Sequence, residues 1–457
     1  MSARSPVDRL RLPVPGGTPP FAFPAIGKSA LPNGLRVWTA EHRATPVVSL
    51  MLIVRRGAAD DPPGKDGLAA ITMDMLDEGS GGRSAIEMHE ALAEVGGHLE
   101  SDIGSDGAAL SVTVLNRFAD RALSVVADMM ARPSLTEEDF ARVRQLRLHR
   151  LRQLRDMPGS VADRAFVRLL YGGHPYGHTP LGSERTLASM TLDEVRRFHV
   201  AAMRPSEATL IAVGDCDHEA IARLAADAFG GWEGASAVTV PEPAEMPRPS
   251  RLNIVPRPGA PQSELRIGHV AAARNTPDYH ALLAANMVLG GQFVSRINLN
   301  LREDKGFTYG ARTSFEFRRL PGPFVVQASV HTASTAQAIE ESLAEVAAIR
   351  GARPVTSDEL SLGVAALTRG YARGFETADQ VARAIAQIAM YDLSDGYFSE
   401  FVPRMEGVTV DDVTRVAAAH LDPSRLTTLI VGDLDTIADD LARLNLGAPT
   451  ILPAETF

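Results

Sequence analysis

A chain of 457 residues exceeds the size at which a single hydrophobic core keeps growing, so two or more domains are expected. Its 45% hydrophobic content is that of a soluble globular protein, and a net charge of −10 argues against nucleic acid or an anionic membrane as the main partner. One cysteine, Cys216, excludes an internal disulfide framework and a cysteine-rich metal site.

Residues 1–24 read as a loose, proline-rich arm. The arm has no continuous apolar core of signal-peptide length, and no run in the chain approaches the roughly 18 apolar residues of a membrane span. A cytoplasmic location is the simplest expectation, or a periplasmic one if an export signal has been trimmed. Hydrophobic spacing then predicts strands over 35–40 and 47–55 and a helix over 67–76. A glycine–serine loop over 79–83 follows, then a helix over 86–95 stopped by Gly96-Gly97. Residues 98–115 alternate like a hairpin, and 119–130 are helical. Ser134-x-x-Glu137 resembles a capping box before a long helix ending near Asp156. Arg142, Arg144, Arg147, Arg150, Arg152 and Arg155 would give that helix a solvated basic face. His174 and His178 are four apart, but Pro175 and Gly177 between them predict a turn and not a helical ligand pair.

Residues 190–217, MTLDEVRRFHVAAMRPSEATLIAVGDCD, recur as VTVDDVTRVAAAHLDPSRLTTLIVGDLD at a constant offset of 218 positions, without gaps and with 12 of 28 residues identical. Each copy reads as helix, Pro-Ser turn, and a buried strand ending in Val-Gly-Asp. An offset of this length marks a domain duplication and not a solenoid. The expected organisation is an α+β chain of two homologous domains, each a mostly antiparallel sheet packed with helices. Their ranges are 25–235 and 251–457, joined by a proline-rich linker over 236–250.

The second copy contains SRINLNLREDKGFTYGARTSFEF (295–317). A helical pattern through Ile297 and Leu301 stops at Gly306, and a period-2 run follows with Tyr309, Ala311, Thr313, Phe315 and Phe317 on one face. Arg302 and Tyr309 flank that corner. Spacing alone makes Arg302 a helix-end surface charge and Tyr309 a half-buried core residue. Projected into one cleft, they would offer a guanidinium for a carbonyl and a phenol for a developing oxyanion.

LPNGLRV (31–37), GLAAITMDML (67–76), EVGGHLES (94–101), RDMPGS (155–160), HPYG (174–177), both Val-Gly-Asp repeats and SRINLNLREDKGFTYGA (295–311) occur in this order. Together they resemble the pitrilysin/insulinase-type zinc metallopeptidases, the family that includes the mitochondrial processing peptidase. In that family a helical His-x-x-Glu-His motif supplies two zinc ligands and the general base, and a later glutamate completes the site. Here the motif positions read Ala70, Met73 and Asp74, and the third ligand aligns near Arg150, so the resemblance implies a degenerate site with no metal in this chain. Arg302 and Tyr309 match the family's arginine–tyrosine pair, which holds the substrate backbone and helps stabilise the tetrahedral oxyanion.

The resemblance therefore implies the zinc-less subunit of a heterodimeric endopeptidase, clamped like a clam shell against a homologous partner that carries the zinc, with unfolded peptides as substrates. The alternative is a catalytically inactive scaffold subunit in which the pair is a relic. Two departures qualify the analogy. Glu100-Ser101 stands where the family's edge strand has Asn-Ala, which argues against peptide binding by strand addition in the first domain. Gly290-Gly291 is too short a break to serve as a long glycine-rich guiding loop.

Overall fold

The run Val47–Val54 is apolar at almost every position, a pattern that a strand satisfies only when both of its faces are covered. In the computed structural model, which describes residues 21–234 and 246–457, this run is strand β3 (Val47–Val54), next to the centre of a six-stranded sheet. The other members are β1 (Gly27–Ala30), β2 (Arg36–Glu41), β6 (Leu99–Ile103), β7 (Ala108–Leu115) and β8 (Ala208–Gly214), in the order β1-β2-β8-β3-β7-β6. Only β2 and β8 run parallel. Between them in sequence, β4 (Gly79–Ser80) and β5 (Arg83–Ser84) form a two-rung hairpin where the glycine–serine stretch predicts a loop.

The second sheet comprises β9 (Leu252–Pro256), β10 (Gln262–Val270), β11 (Thr308–Phe315), β12 (Pro323–His331), β13 (Thr427–Gly432) and β14 (Thr450–Ile451). Its order is β11-β12-β10-β13-β9-β14, with β9 parallel to β13 and β14. Read from its far edge, this sheet repeats the first, so the edge strands β6 and β11 are equivalent. The 218-residue repeat falls on helices Leu192–Ala202 and Val410–His420 and on strands β8 and β13. The molecule is thus an α+β protein of two sheet-and-helix domains. Of the expected arm, 1–20 lies outside the described residues, as does 236–245 of the expected linker. The arm is not loose at its end: Phe23 is buried, its ring 5.0 Å from that of Phe398 and 5.4 Å from that of Phe375.

One face of each sheet packs on helices of its own half. Leu50 and Leu52 share a core with the helices Leu68–Leu76 and Ala119–Ala131. Ile254 and Ile267 share one with Tyr279–Leu289 and Thr335–Ala348. The opposite faces are covered by exchange. Met51, Ile53, Ile211 and Val213 pack against Val381, Ile385 and Ile388 of the helix Ala378–Tyr391, which belongs to the second half. Val255, Val325, Leu429 and Val431 pack against Val161, Phe166 and Leu170 of Pro158–Tyr171, which belongs to the first. These two 14-residue helices occupy corresponding places in the duplication, so the halves are interlocked by reciprocal loans.

The start of the long helix departs from its sequence signal. Glu137–Arg155 is capped by Thr136, whose hydroxyl accepts the Asp139 N–H, and not by Ser134. Ser134 is held outside the helix by its N–H bond to the Gly79 carbonyl, and Leu135 between them has φ 43°. Nor do the arginines of this helix form one solvated face. Arg142 pairs with Asp139 at 3.0 Å and with Glu78, Arg147 with Asp74, and Arg155 with Glu184 at 2.7 Å. Apart from Asp139, these acidic partners come from neighbouring elements that periodicity within one helix does not reveal.

The corner at residues 295–317 is anchored by an ion pair between the buried Arg296 and the half-buried Glu359. Arg296 donates through Nε and Nη2 to the two carboxylate oxygens of Glu359, both at 2.7 Å. Its remaining donors go to the carbonyls of Arg353 and Pro354 at 2.6 and 3.0 Å. These charge-assisted bonds hold the Glu359 carboxyl down to about 2.

Two outcomes follow. Ile385→Ala should cost about 2–5 kcal/mol, because it opens a cavity under β3, and urea unfolding should remain a single transition followed by both sheets. Breaking the pair with Arg296→Ala should cost about 1–3 kcal/mol at neutral pH, since the carboxylate left behind is partly hydrated. Glu359 titrates lower in the folded state, so its contribution is complete above about pH 4.5 and disappears as pH falls towards 2. The stability gap between wild type and Arg296→Ala, measured by thermal melts, should therefore narrow over that interval.

Candidate functional site

Gly67, at φ +96°, opens the helix Leu68–Leu76, and its Cα side lies so close to Gly182 that a Cβ would sit 3.0 Å from that residue's Cα. Asp61 caps the helix from a buried position, accepting the N–H groups of Gly67 at 2.7 Å and Ala69 at 2.6 Å. Burial pushes its carboxyl up to about 8, against the two N–H bonds that favour the charged form.

The helix so fixed carries Ala70, Met73 and Asp74. Ala70 and Met73 are buried in the core, and Asp74 Oδ2 lies 2.5 Å from Arg147 Nε. The cation facing the lone carboxylate is therefore Arg147. Arg150, expected there, lies three residues on and is exposed, because the turn of the helix carries it past Asp74. A methyl group, a thioether and a carboxylate already neutralised by a guanidinium do not make a Zn²⁺ site, which needs imidazole, thiolate or free carboxylate donors. Among the described residues, no three His, Cys, Asp or Glu side chains converge elsewhere to hold a metal. His174 instead accepts the Tyr176 N–H at 3.0 Å, and His178 stands 3.8 Å from Asp61, both within the predicted turn.

The edge strand β6 presents Glu100, whose carboxylate pairs at 2.7 Å with Arg383 on the helix borrowed from the second half. The pair bridges the rim of a cleft of about 560 Å³ that also touches Asp106, Arg318 and Tyr391.

The equivalent edge, β11, is built differently. Arg296–Asn298 is a short α-helical turn that widens into a π-helical run, Leu299–Asp304, instead of continuing as the regular helix that spacing predicts. Such widened turns recur at functional sites, where the extra residue re-aims a side chain. Gly306 closes the run at φ +66°, and the Phe307 N–H returns to the Leu301 carbonyl at 2.9 Å, in the manner that the Gly-Phe pair predicts. The strand then bulges. Thr308 pairs with Val330 and Ala311 with Ala328, so one extra residue lies on β11 between these rungs. The bulge breaks the alternation, and Tyr309, expected on the buried face with Ala311 and Thr313, turns outward and is 89% exposed.

Thr308 fixes the bulge, its hydroxyl donating to the Ser329 carbonyl at 2.6 Å and accepting the Gly310 N–H at 3.1 Å. Two outward N–H groups of the strand are already bonded, Ala311 to Asn298 Oδ1 and Thr313 to the Gly290 carbonyl, both at 3.0 Å. This edge is thereby unsuited to adding a strand.

Arg302 projects from the π-helical run with its Cζ 4.2 Å from the centroid of the Phe293 ring. Its Nη1 is buried and, among the described residues, has no hydrogen-bond partner; Glu303 Oε1 stands 3.4 Å away. The corner therefore offers one guanidinium with spare donors and one solvent-facing phenol. Phe293 and Asn298, which shape this corner, are absent from the sequence-based site. The one local feature at Phe293 is an apolar Phe-Val pair one residue beyond Gly290-Gly291, which is no motif by itself.

Comparison with known proteins matches both halves. The family model for insulinase (peptidase family M16) matches residues 36–182, and that for the peptidase M16 inactive domain matches 189–367. A protein named an uncharacterized zinc protease in Mycobacterium bovis is 25% identical over 94% of this chain and 96% of its own length. A second of that description, from Streptomyces coelicolor, is 24% identical over 86% of each chain. Among solved structures, the peptidase M16 inactive domain from Pseudomonas fluorescens superposes with a TM-score of 0.83 at 22% identity, covering 90% of this chain and 98% of that one. A protease from Helicobacter pylori gives the same TM-score at 21% identity, covering 90% and 100%. Two family models, one after the other along the chain and on a duplicated fold, show that the chain belongs to the insulinase-type peptidase family M16.

Proposed function

We propose that this chain is the zinc-less subunit of a heterodimeric zinc endopeptidase acting on unfolded peptides. The observation that carries the reading is the contrast between the helix at the zinc position, in the first half, and the corner before β11, in the second. The helix at the zinc position is filled by Ala70, Met73 and the Asp74–Arg147 pair, whereas the corner keeps Tyr309 in solvent and Arg302 with an unbonded donor. A large aromatic side chain turned outward by a dedicated bulge contributes little to its own fold and suits a surface that closes on something else.

In this reading a homologous partner bearing His-x-x-Glu-His supplies the metal, which activates water for attack on the scissile carbonyl. Arg302 donates to a carbonyl of the bound peptide and fixes its register. Tyr309 donates its phenolic O–H to the oxyanion that forms as the carbonyl carbon becomes tetrahedral. The phenol acts in this reading as a hydrogen-bond donor and not as an acid.

The test is cleavage of an unstructured fluorogenic peptide by this chain, by its zinc-bearing companion, and by the two mixed. Activity should appear only in the mixture, and this chain alone should hold no stoichiometric zinc. Tyr309→Phe should lower the kcat of the mixture about a hundredfold without weakening assembly, the usual scale for one oxyanion donor. Arg302→Ala should chiefly raise KM. A companion equally active by itself, or a mixture indifferent to both substitutions, would make this chain a scaffold.

A further inference from the structure

Arg302 owes its placement to a residue outside the arginine–tyrosine pair. The Phe293 ring lies under the guanidinium at 4.2 Å, yet Phe293 is 63% exposed. Burial contributes little to a ring so exposed, and the stack with Arg302 is its principal contact of defined geometry. Nη1 is buried and faces Glu303 Oε1 at 3.4 Å, so the donors left for a ligand are Nε and Nη2, which make no hydrogen bond among the described residues.

The backbone beneath the ring is fixed as well. Asn298, 3% exposed, donates from Nδ2 to the Phe293 carbonyl at 2.7 Å, while its Oδ1 accepts the Ala311 N–H at 3.0 Å. Ala311 is the first paired residue after the bulge that carries Tyr309. One buried amide thus ties the platform under Arg302 to the strand that presents the phenol. Around the platform the surface is apolar: Val294 adjoins it in sequence, Leu299 precedes Arg302 by three residues on the same helical run, and both are exposed.

The geometry points to Phe293 as the positioning residue for Arg302 and as the wall of a subsite that takes a large apolar side chain of an extended peptide. This inference rests on the proposed role of Arg302 in holding peptide backbone. With the carbonyl at the guanidinium edge, a neighbouring side chain of the peptide rests on the exposed part of the ring, and Val294 and Leu299 extend the same surface. A glycine at that place in the peptide leaves the ring wet. The substrate class is therefore unfolded peptide with an apolar residue beside the carbonyl that Arg302 holds.

The experiment uses the full-length chain and two fluorescein-labelled, unstructured ten-residue peptides that differ only in carrying leucine or glycine at one central position. Fluorescence polarisation gives Kd for wild type, Phe293→Ala, Phe293→Trp, Arg302→Ala and the double variant with both alanines. Wild type should bind the leucine peptide about tenfold more tightly than the glycine peptide, the scale of one apolar side chain in a pocket. Phe293→Ala should weaken the leucine peptide about tenfold and remove most of the discrimination, and Phe293→Trp should restore both. In the Arg302→Ala background, Phe293→Ala should add less than twofold to the loss of backbone holding read with the glycine peptide. Thermal melts of the variants should stay close to wild type, as the ring is exposed.

If Arg302→Ala weakens binding while Phe293→Ala does not, the inference falls and the role of Arg302 stands. Independent, multiplicative losses with the glycine peptide would overturn the positioning role. An Arg302→Ala variant that binds both peptides like wild type would overturn the role of Arg302 and this inference together.

Discussion

The central strands β3, β8 and β13 are apolar on both sides, and neither half of the chain covers its own second face. Ile53 and Val213 of the first sheet are sealed by Ile385 and Ile388, which lie far along the chain, and Val255 and Val431 of the second by Val161 and Phe166. This exchange is the constraint on which the rest depends. It fixes the angle between the sheets, leaves the edge strands β6 and β11 at corresponding margins, and places the borrowed helix near enough to β6 for Arg383 to reach Glu100.

The two margins have diverged in chemistry while keeping their architecture. In the first half, Asp74 meets Arg147 where a metal would need free donors, and the ion pair satisfies both charges. In the second, the chain uses a π-helical run, a left-handed glycine and a bulge within a few residues of one another. Each departs from regular structure, and each is held by a specific bond: Phe307 to Leu301, Thr308 to Ser329, Ala311 to Asn298. Each irregularity is thus fixed by its own bond, so the corner has one defined shape.

Much of the fold was legible in the sequence because it follows local pattern. The alternating and continuous apolar runs located β2, β3, β7 and the helix Leu68–Leu76 to within a residue or two, and the repeat at 190–217 exposed the duplication. What stayed hidden depends on distant partners. Arg147 and not Arg150 faces Asp74, because helix rotation and the reach of a long side chain decide between neighbours three residues apart. Thr136 caps the long helix because β4 claims the backbone of Ser134. Tyr309 faces solvent because a bulge shifts the register, and period-2 reading has no means to count an inserted residue. Phe293 and Asn298 carry no motif of their own; their roles arise only once the loop is folded over the helix.

The reciprocal loan of the helices Pro158–Tyr171 and Ala378–Tyr391 has a consequence for what chain connectivity does here. A backbone severed between Gly234 and Met246 would yield two fragments, each with one sheet face bare and one helix whose apolar side has no seat at home. Each fragment is a poor soluble protein and an obligate complement of the other. The covalent joint then serves chiefly to raise the local concentration of one half around the other, while recognition between them is already written in the loaned helices. The duplicated chain is, in its packing, a swapped dimer that happens to be continuous.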